Sequence, residues 1–229
     1  MMGFLSKSIE NIFKLKEKQR DFSNVKSVND TFSNKVIIAL SGFFWMLTYV
    51  FIIYVGFRDK TYGMPLVALC ANISWEFIFS YVYPHRKPQL YINKVWFWFD
   101  IIILGQFLYY GPKNVFWAEL SPMLFYLNFI GILIISFIVL FYINERLSDH
   151  RHGKYTAFGQ NLLMSILFVY MFYLREPGLG QSIYIAICKM MGTLFASIVF
   201  FKVLPEKKCL NILYIAILLF DCFYLALLM

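Results

Sequence analysis

Four ionisable side chains, Glu76, Asp100, Lys189 and Asp221, fall inside long apolar runs of this chain. A charged group inside a bilayer is expensive, and residues of this kind usually face a helix-bundle interior and mark function. At 1.5 Å of rise per residue, Glu76 and Asp100 lie about 10 Å inside their runs and Lys189 about 12 Å. Asp221 lies near the middle of the last run. If all four were ionised, three negative charges would face one positive charge, and an uncompensated buried carboxylate tends to take up a proton. At least one of the three acids is therefore expected to be neutral at pH 7. A protonated carboxylic acid in a dry pocket is a proton donor, and pairs of titratable groups in contrasting environments are how acid catalysis is arranged near neutrality. The competing role for each residue is to join helices through hydrogen bonds. For Lys189 that role is favoured, because Ser182, Thr193 and Ser197 share its face and an ion pair with one acid would suffice.

The neighbours of the acids have a chemistry of their own. Asn72 precedes Glu76 by one helical turn and so shares its face, with Trp75 adjacent; Trp96 stands likewise before Asp100, and Tyr214 and Tyr224 flank Asp221. Aromatic faces attract positive charge by about 0.5–2 kcal/mol, more when desolvated, which suits a cationic intermediate. The alternative for any one ring is core packing or an interfacial belt. Cys70, Cys188, Cys209 and Cys222 show no CxxC spacing, so neither a zinc site nor a disulfide framework is indicated.

The elements that position these groups follow from composition. The chain has 229 residues, 60% hydrophobic and 15% charged, against about 25% charged in soluble domains. Apolar runs at 36–57, 64–83, 92–110, 122–143, 157–174, 181–201 and 209–229 are each near the roughly 20 residues that a helix needs to cross a bilayer. Gly and Pro punctuate the connections, and none of the runs alternates as a barrel strand would. The expected fold is an all-α integral-membrane bundle of seven transmembrane helices over residues 36–229. Residues 1–35 form a basic cytoplasmic segment in which Leu5, Ile9, Ile12, Phe13 and Lys16 fall at helical spacing, which fits either an amphipathic surface helix or a disordered tail. That segment contains no recognisable cleavable signal peptide.

With the N-terminus inside, the inner segments hold 16 Lys and Arg residues and the outer ones only Arg58, Lys60, Lys113 and Arg175. The positive-inside rule then places the N-terminus in the cytoplasm and the C-terminus on the opposite side. The net charge of +8 is thereby a topology signal. It requires no nucleic-acid partner, and the neighbours it implies are the bilayer and its anionic headgroups. A bacterial cytoplasmic membrane and the endoplasmic reticulum are equally compatible. No internal repeat is visible, which disfavours a repeat-built transporter.

The elements Asn72-Ile-Ser-Trp75-Glu76, Trp96-Phe-Trp-Phe-Asp100 and Asp221-Cys-Phe-Tyr224 resemble the integral-membrane terpene cyclases of meroterpenoid and indole-diterpene biosynthesis, the group that includes the paspaline and pyripyropene cyclases. The resemblance implies a seven-helix enzyme whose acids Glu76 and Asp221 are needed for cyclisation, with Asp100 a further recurring acid. It implies protonation of a terminal epoxide or alkene on a polyprenyl chain attached to another scaffold, capture of the carbocation by successive double bonds, and final loss of a proton. The substrate would be a prenylated small molecule, with no cofactor and no metal; the sequence contains neither an Asp-Asp-x-x-Asp nor a DxDD element. A neutral acid, a water-free pocket and aromatic walls are what such chemistry needs. In this reading Glu76 or Asp221 donates the proton, the other carboxylate tunes it, Asp100 supports the network, and Asn72, Trp75, Trp96 and Tyr224 contact the substrate. The competing reading is a small multi-pass transporter that uses the buried acids for proton or ion coupling. A structural membrane protein would leave the acids as helix glue. A retinal receptor is disfavoured because residues 209–229 contain no Lys.

Overall fold

The computed structural model describes residues 32–113, 121–146, 152–176 and 178–229. The surface helix expected near the start of the basic N-terminal segment lies outside the described residues. Seven α-helices occur among the described residues: α1 (Phe32–Arg58), α2 (Leu66–Phe77), α3 (Gln89–Tyr110), α4 (Pro122–Arg146), α5 (Lys154–Leu174), α6 (Ile183–Val203) and α7 (Lys208–Leu227). No strand occurs among the described residues. Each helix coincides with one expected apolar run, with ends shifted by up to four residues when the π-helical turn Ile78–Val82 that continues α2 is counted with it.

Five of the helices, α1, α4, α5, α6 and α7, are long and apolar enough to cross a bilayer. The other two carry Glu76 and Asp100. Helix α2 is 12 residues long and continues as a π-helical turn, Ile78–Val82, that begins two residues after Glu76. Helix α3 has 22 residues, but Asn93, Lys94, Asp100 and Gln106 dilute its apolar character. Helix starts use local chemistry: Pro122 stands at the first position of α4, where its missing N–H costs nothing, and the Ser182 side chain caps α6 by accepting from the Tyr184 N–H.

Six helices pack in a closed order, α1 on α3, α3 on α2, α2 on α5, α5 on α7, α7 on α6 and α6 back on α1, while α4 packs mainly on the outside of α2. One end of the bundle is tied by Asp59, whose carboxylate accepts from the Gly180 N–H at 2.9 Å. Burial opposes ionisation of Asp59, but the Arg58 guanidinium bound to it dominates and holds its carboxyl below the usual range.

Helices α1 and α6 approach closely at Gly192. Its carbonyl accepts from Ser41 Oγ at 2.6 Å, and a Cβ built there would stand 2.8 Å from Trp45 Cδ1. Gly192→Ala is expected to push Trp45 aside and to destabilise the fold by about 1–3 kcal/mol. A lowered thermal midpoint in detergent would report this; an unchanged midpoint would mean that the indole yields without cost.

The opposite end is tied by His85. Gln89 Nε2 donates to Asn93 Oδ1 at 2.7 Å, which orients the amide so that Asn93 Nδ2 donates to His85 Nδ1 at 3.0 Å. The other ring nitrogen then carries the hydrogen and donates to the His152 carbonyl at 3.1 Å. Burial pushes the imidazole down to about 4 from its usual 6.5. A depressed base stabilises the fold fully above its ordinary pKa, and this contribution is lost as pH falls. The thermal midpoint is therefore expected to drop between pH 6.5 and about 4, with a smaller drop in His85→Phe; equal drops in the two proteins would remove His85 as the cause.

Candidate active site

Helix α2 brings Asn72 and Glu76 onto one face, and α3 and α1 bring Asp100 and Tyr49 against that face. Glu76 and Asp100 are 1% and 0% exposed. Tyr49 donates its hydroxyl to Glu76 Oε1 at 2.6 Å. Asn72 Nδ2 donates to Asp100 Oδ2 at 2.8 Å and also to the Tyr49 hydroxyl, with Glu76 Oε1 farther away at 3.3 Å. From α5, Gln160 Nε2 donates to Asn72 Oδ1 at 3.3 Å. Each carboxyl group keeps one oxygen, Glu76 Oε2 and Asp100 Oδ1, without a donor among the described residues, and the two carboxyl groups lie within hydrogen-bonding reach of each other. Two carboxyl groups can hydrogen-bond only if a proton lies between them, because neither ionised form has a donor. Among the described residues, no Lys or Arg forms an ion pair with either acid.

Asp221 lies elsewhere, on α7. Its Oδ1 accepts from Lys189 Nζ at 2.7 Å, and the ammonium also donates to Ser165 Oγ at 2.6 Å. Both charged side chains are buried, which tolerates ionisation only when the charges are paired and hydrogen-bonded. Asp221 Oδ2 and the Tyr224 hydroxyl have no partner among the described residues. Beside this pair, between α6 and α7, is a cavity of about 100 Å³ lined by Asp221, Thr193, Ser197, Ile217 and Leu218 among others. The three acids singled out in the sequence are thus divided: Glu76 and Asp100 meet, and Asp221 pairs with Lys189.

Aromatic rings cluster beside the Glu76–Asp100 pair around Tyr49. Tyr49 stacks on Trp96 with centroids 6.3 Å apart, and Trp45 lies 6.4 Å from Tyr49 and 6.5 Å from Trp96. The Trp96 Nε1–H is buried with no acceptor among the described residues. Tyr224 is buried against Phe168, centroids 5.3 Å apart. Trp75 turns toward the His85 end, where its Nε1–H donates to the Gly153 carbonyl at 3.2 Å and to Thr156 Oγ1 at 3.1 Å. It braces α2 against the start of α5.

Sequence reasoning did not single out Tyr49, Trp45, Gln160 or Ser165. Trp45 and Tyr49 are one helical turn apart in the first apolar run, and Gln160 is an amide inside the fifth; these were the available signals. A second cavity, about 200 Å³, lies near the Asp59 end, lined by Tyr62, Leu66, Leu167, Met171 and Arg175 among others. Neither cavity is lined by Glu76 or Asp100.

The family model of the Pyr4-like transmembrane terpene cyclases matches residues 14–227. The chain is 32% identical over 167 residues to the Pyr4-family terpene cyclase mfmH of Annulohypoxylon moriforme, covering 72% of this chain and 68% of that protein. It is 27% identical over 196 residues to the terpene cyclase macJ of Penicillium terrestre, covering 80% and 72%. The corresponding values for the terpene cyclase dpmaB of Metarhizium anisopliae are 28% over 159 residues, 68% and 64%. No solved structure matches the chain.

Proposed function

The chain belongs to the Pyr4-like transmembrane terpene cyclases, and from that premise we propose how its side chains carry the cyclisation of a prenylated small molecule. The observation that carries the reading is the Glu76–Asp100 pair, two buried carboxyl groups in hydrogen-bonding reach with no Lys or Arg paired to them among the described residues. They hold one proton between them. That proton passes to a terminal epoxide oxygen, whose C–O bond breaks as the O–H bond forms, or to a terminal alkene carbon. The tertiary cation left behind is attacked by the next double bond, and each attack forms a C–C bond and moves the positive charge onward.

Tyr49 and Asn72 fix the two acids by donating to Glu76 Oε1 and Asp100 Oδ2. Preorganised donors of this kind need no rearrangement as charge develops. Trp96, with Tyr49 and Trp45 beside it, offers π faces to the cation, and the site excludes the water that would quench it. Asn72, Trp96 and Tyr224 are the substrate-side residues of this reading, while Trp75 supports Glu76 by holding α2 in place. Asp221 is a second catalytic carboxylate. Its ion pair with Lys189 leaves it without a proton to donate, so it acts on the cation and Glu76 with Asp100 begins the reaction.

The reading places all seven helices across the bilayer, α2 with its π turn and α3 completing the set, and treats 36–229 as the transmembrane domain behind a basic segment, 1–35. The distribution of Lys and Arg supports a cytoplasmic N-terminus and His85 end, with Asp59 and the C-terminus opposite. The relatives named above are fungal proteins, which supports the endoplasmic reticulum over a bacterial membrane.

The test is to express the chain in a host supplied with a prenylated aromatic epoxide and to search for a cyclised isomer of unchanged mass. Formation of that isomer, lost in Glu76→Gln, is the expected result. Unreacted epoxide beside a properly inserted protein would overturn the proposed epoxide chemistry.

A further inference from the structure

We propose that Lys189 is a positioning residue for the last step of the reaction: it keeps Asp221, a residue lining the cavity between α6 and α7, a carboxylate with Oδ1 engaged and Oδ2 without a donor among the described residues, so that Oδ2 removes the proton that ends the cyclisation. This rests on the reading of Glu76 and Asp100 as the initiating acid.

The geometry is specific. The Lys189 ammonium is fully buried and spends two of its hydrogens on Asp221 Oδ1 at 2.7 Å and Ser165 Oγ at 2.6 Å. Ser165 in turn donates to the Asn161 carbonyl at 2.9 Å, so the ammonium is braced from α5 and held to one oxygen of the carboxylate. The other oxygen has no donor among the described residues, yet its residue lines a cavity of about 100 Å³ whose other walls include Met190, Leu194, Ile217 and Leu218. A carboxylate oxygen beside apolar walls is unfavourable while the cavity is empty of positive charge. It becomes favourable when a cation occupies that cavity, and the cationic end of a partly cyclised prenyl chain is apolar in shape and positive in charge. The space is that of a few water-sized groups, at roughly 30 Å³ each, which fits the end of such a chain and not a whole scaffold.

Placement supports the division of labour. The Glu76–Asp100 pair is on α2 and α3, and the Lys189–Asp221 pair on α6 and α7, across the closed ring of six helices. In the last step the electron pair of a C–H bond adjacent to the cation becomes the new C=C bond, and the proton goes to Asp221 Oδ2. Between turnovers Asp221 releases that proton to water and the Glu76–Asp100 pair takes one up, so the net reaction is an isomerisation.

The experiment compares wild type, Lys189→Met, Lys189→Arg, Asp221→Asn and Glu76→Gln as full chains in nanodiscs, with an epoxidised prenyl aromatic as the probe, and reads product composition. In Lys189→Met and Asp221→Asn the wild-type alkene is expected to fall by about 10² or more relative to alcohols from water capture and alkenes from earlier proton loss. Lys189→Arg should restore most of the wild-type composition. Wild-type composition in Lys189→Met, or equal loss in Lys189→Met and Lys189→Arg, would overturn the proposal. Continued epoxide consumption in Glu76→Gln would instead overturn the initiating-acid reading. Should Lys189→Met fail to fold, the infrared difference between wild type and Asp221→Asn decides the point. Loss of a carboxylate band is expected; loss of a carboxylic C=O band would refute an ionised Asp221.

Discussion

Glu76→Gln is expected to lower the rate of cyclisation by about 10² to 10⁴, the usual contribution of a positioned general acid, while the protein still folds. The substitution is nearly isosteric. The carboxamide oxygen can accept from Tyr49 in place of Glu76 Oε1, and the NH2 group can donate to the neighbouring Asp100 carboxyl group. The hydrogen bond across the pair is therefore kept, but the hydrogen in it belongs to an amide and cannot be released to an epoxide. Product formed per unit of inserted protein is the measurement, with the thermal midpoint as the control for folding. Wild-type turnover in Glu76→Gln would remove Glu76 as the proton source.

Asp100→Asn is expected to have the second largest effect, a loss of about 10² or more, for a related reason. Asn at 100 can accept from Asn72 Nδ2 through its carbonyl, as Asp100 Oδ2 does, and can turn its NH2 group toward Glu76. Glu76 is then satisfied as a carboxylate, with hydrogen bonds from Tyr49 and from the new amide, and no longer needs a proton to hold the pair together. The neutral acid that starts the reaction is lost without any change at Glu76 itself. A rate within a few fold of wild type would mean that Glu76 carries its proton independently of Asp100, and that Asp100 serves packing alone.

Much of this arrangement was legible in the sequence because depth in a bilayer is a strong filter. Apolar runs located the seven helices of the described residues, five of them long and apolar enough to cross a bilayer, and the expense of ionisable groups inside such runs singled out Glu76, Asp100, Lys189 and Asp221. Helical spacing also put Asn72 on the face of Glu76, where the structure has both at the Tyr49 hydroxyl. What one helix's periodicity does not contain is how deep and at what rotation it sits against its neighbours. For that reason the division of the acids, Glu76 with Asp100 and Asp221 with Lys189, could not be read from spacing. Tyr49 was hidden for a different reason. It carries no charge to make it conspicuous, and it stands in a chain that is 21% aromatic. Trp75 is adjacent to Glu76 in sequence, but adjacent helical residues point about 100° apart. Its indole is claimed by the carbonyl of Gly153, 78 positions away in sequence.

The claim on which the rest depends is that Glu76 and Asp100 act as one unit around a single proton. Turnover of wild type, Glu76→Gln, Asp100→Asn and the double variant, measured side by side in the same nanodiscs, tests it most directly. Residues that act as a unit are non-additive, so each single variant should lose most of the activity and the double should fall within about threefold of the worse single. A double variant whose loss equals the product of the two single losses, or a Glu76→Gln enzyme that turns over like wild type, would contradict it.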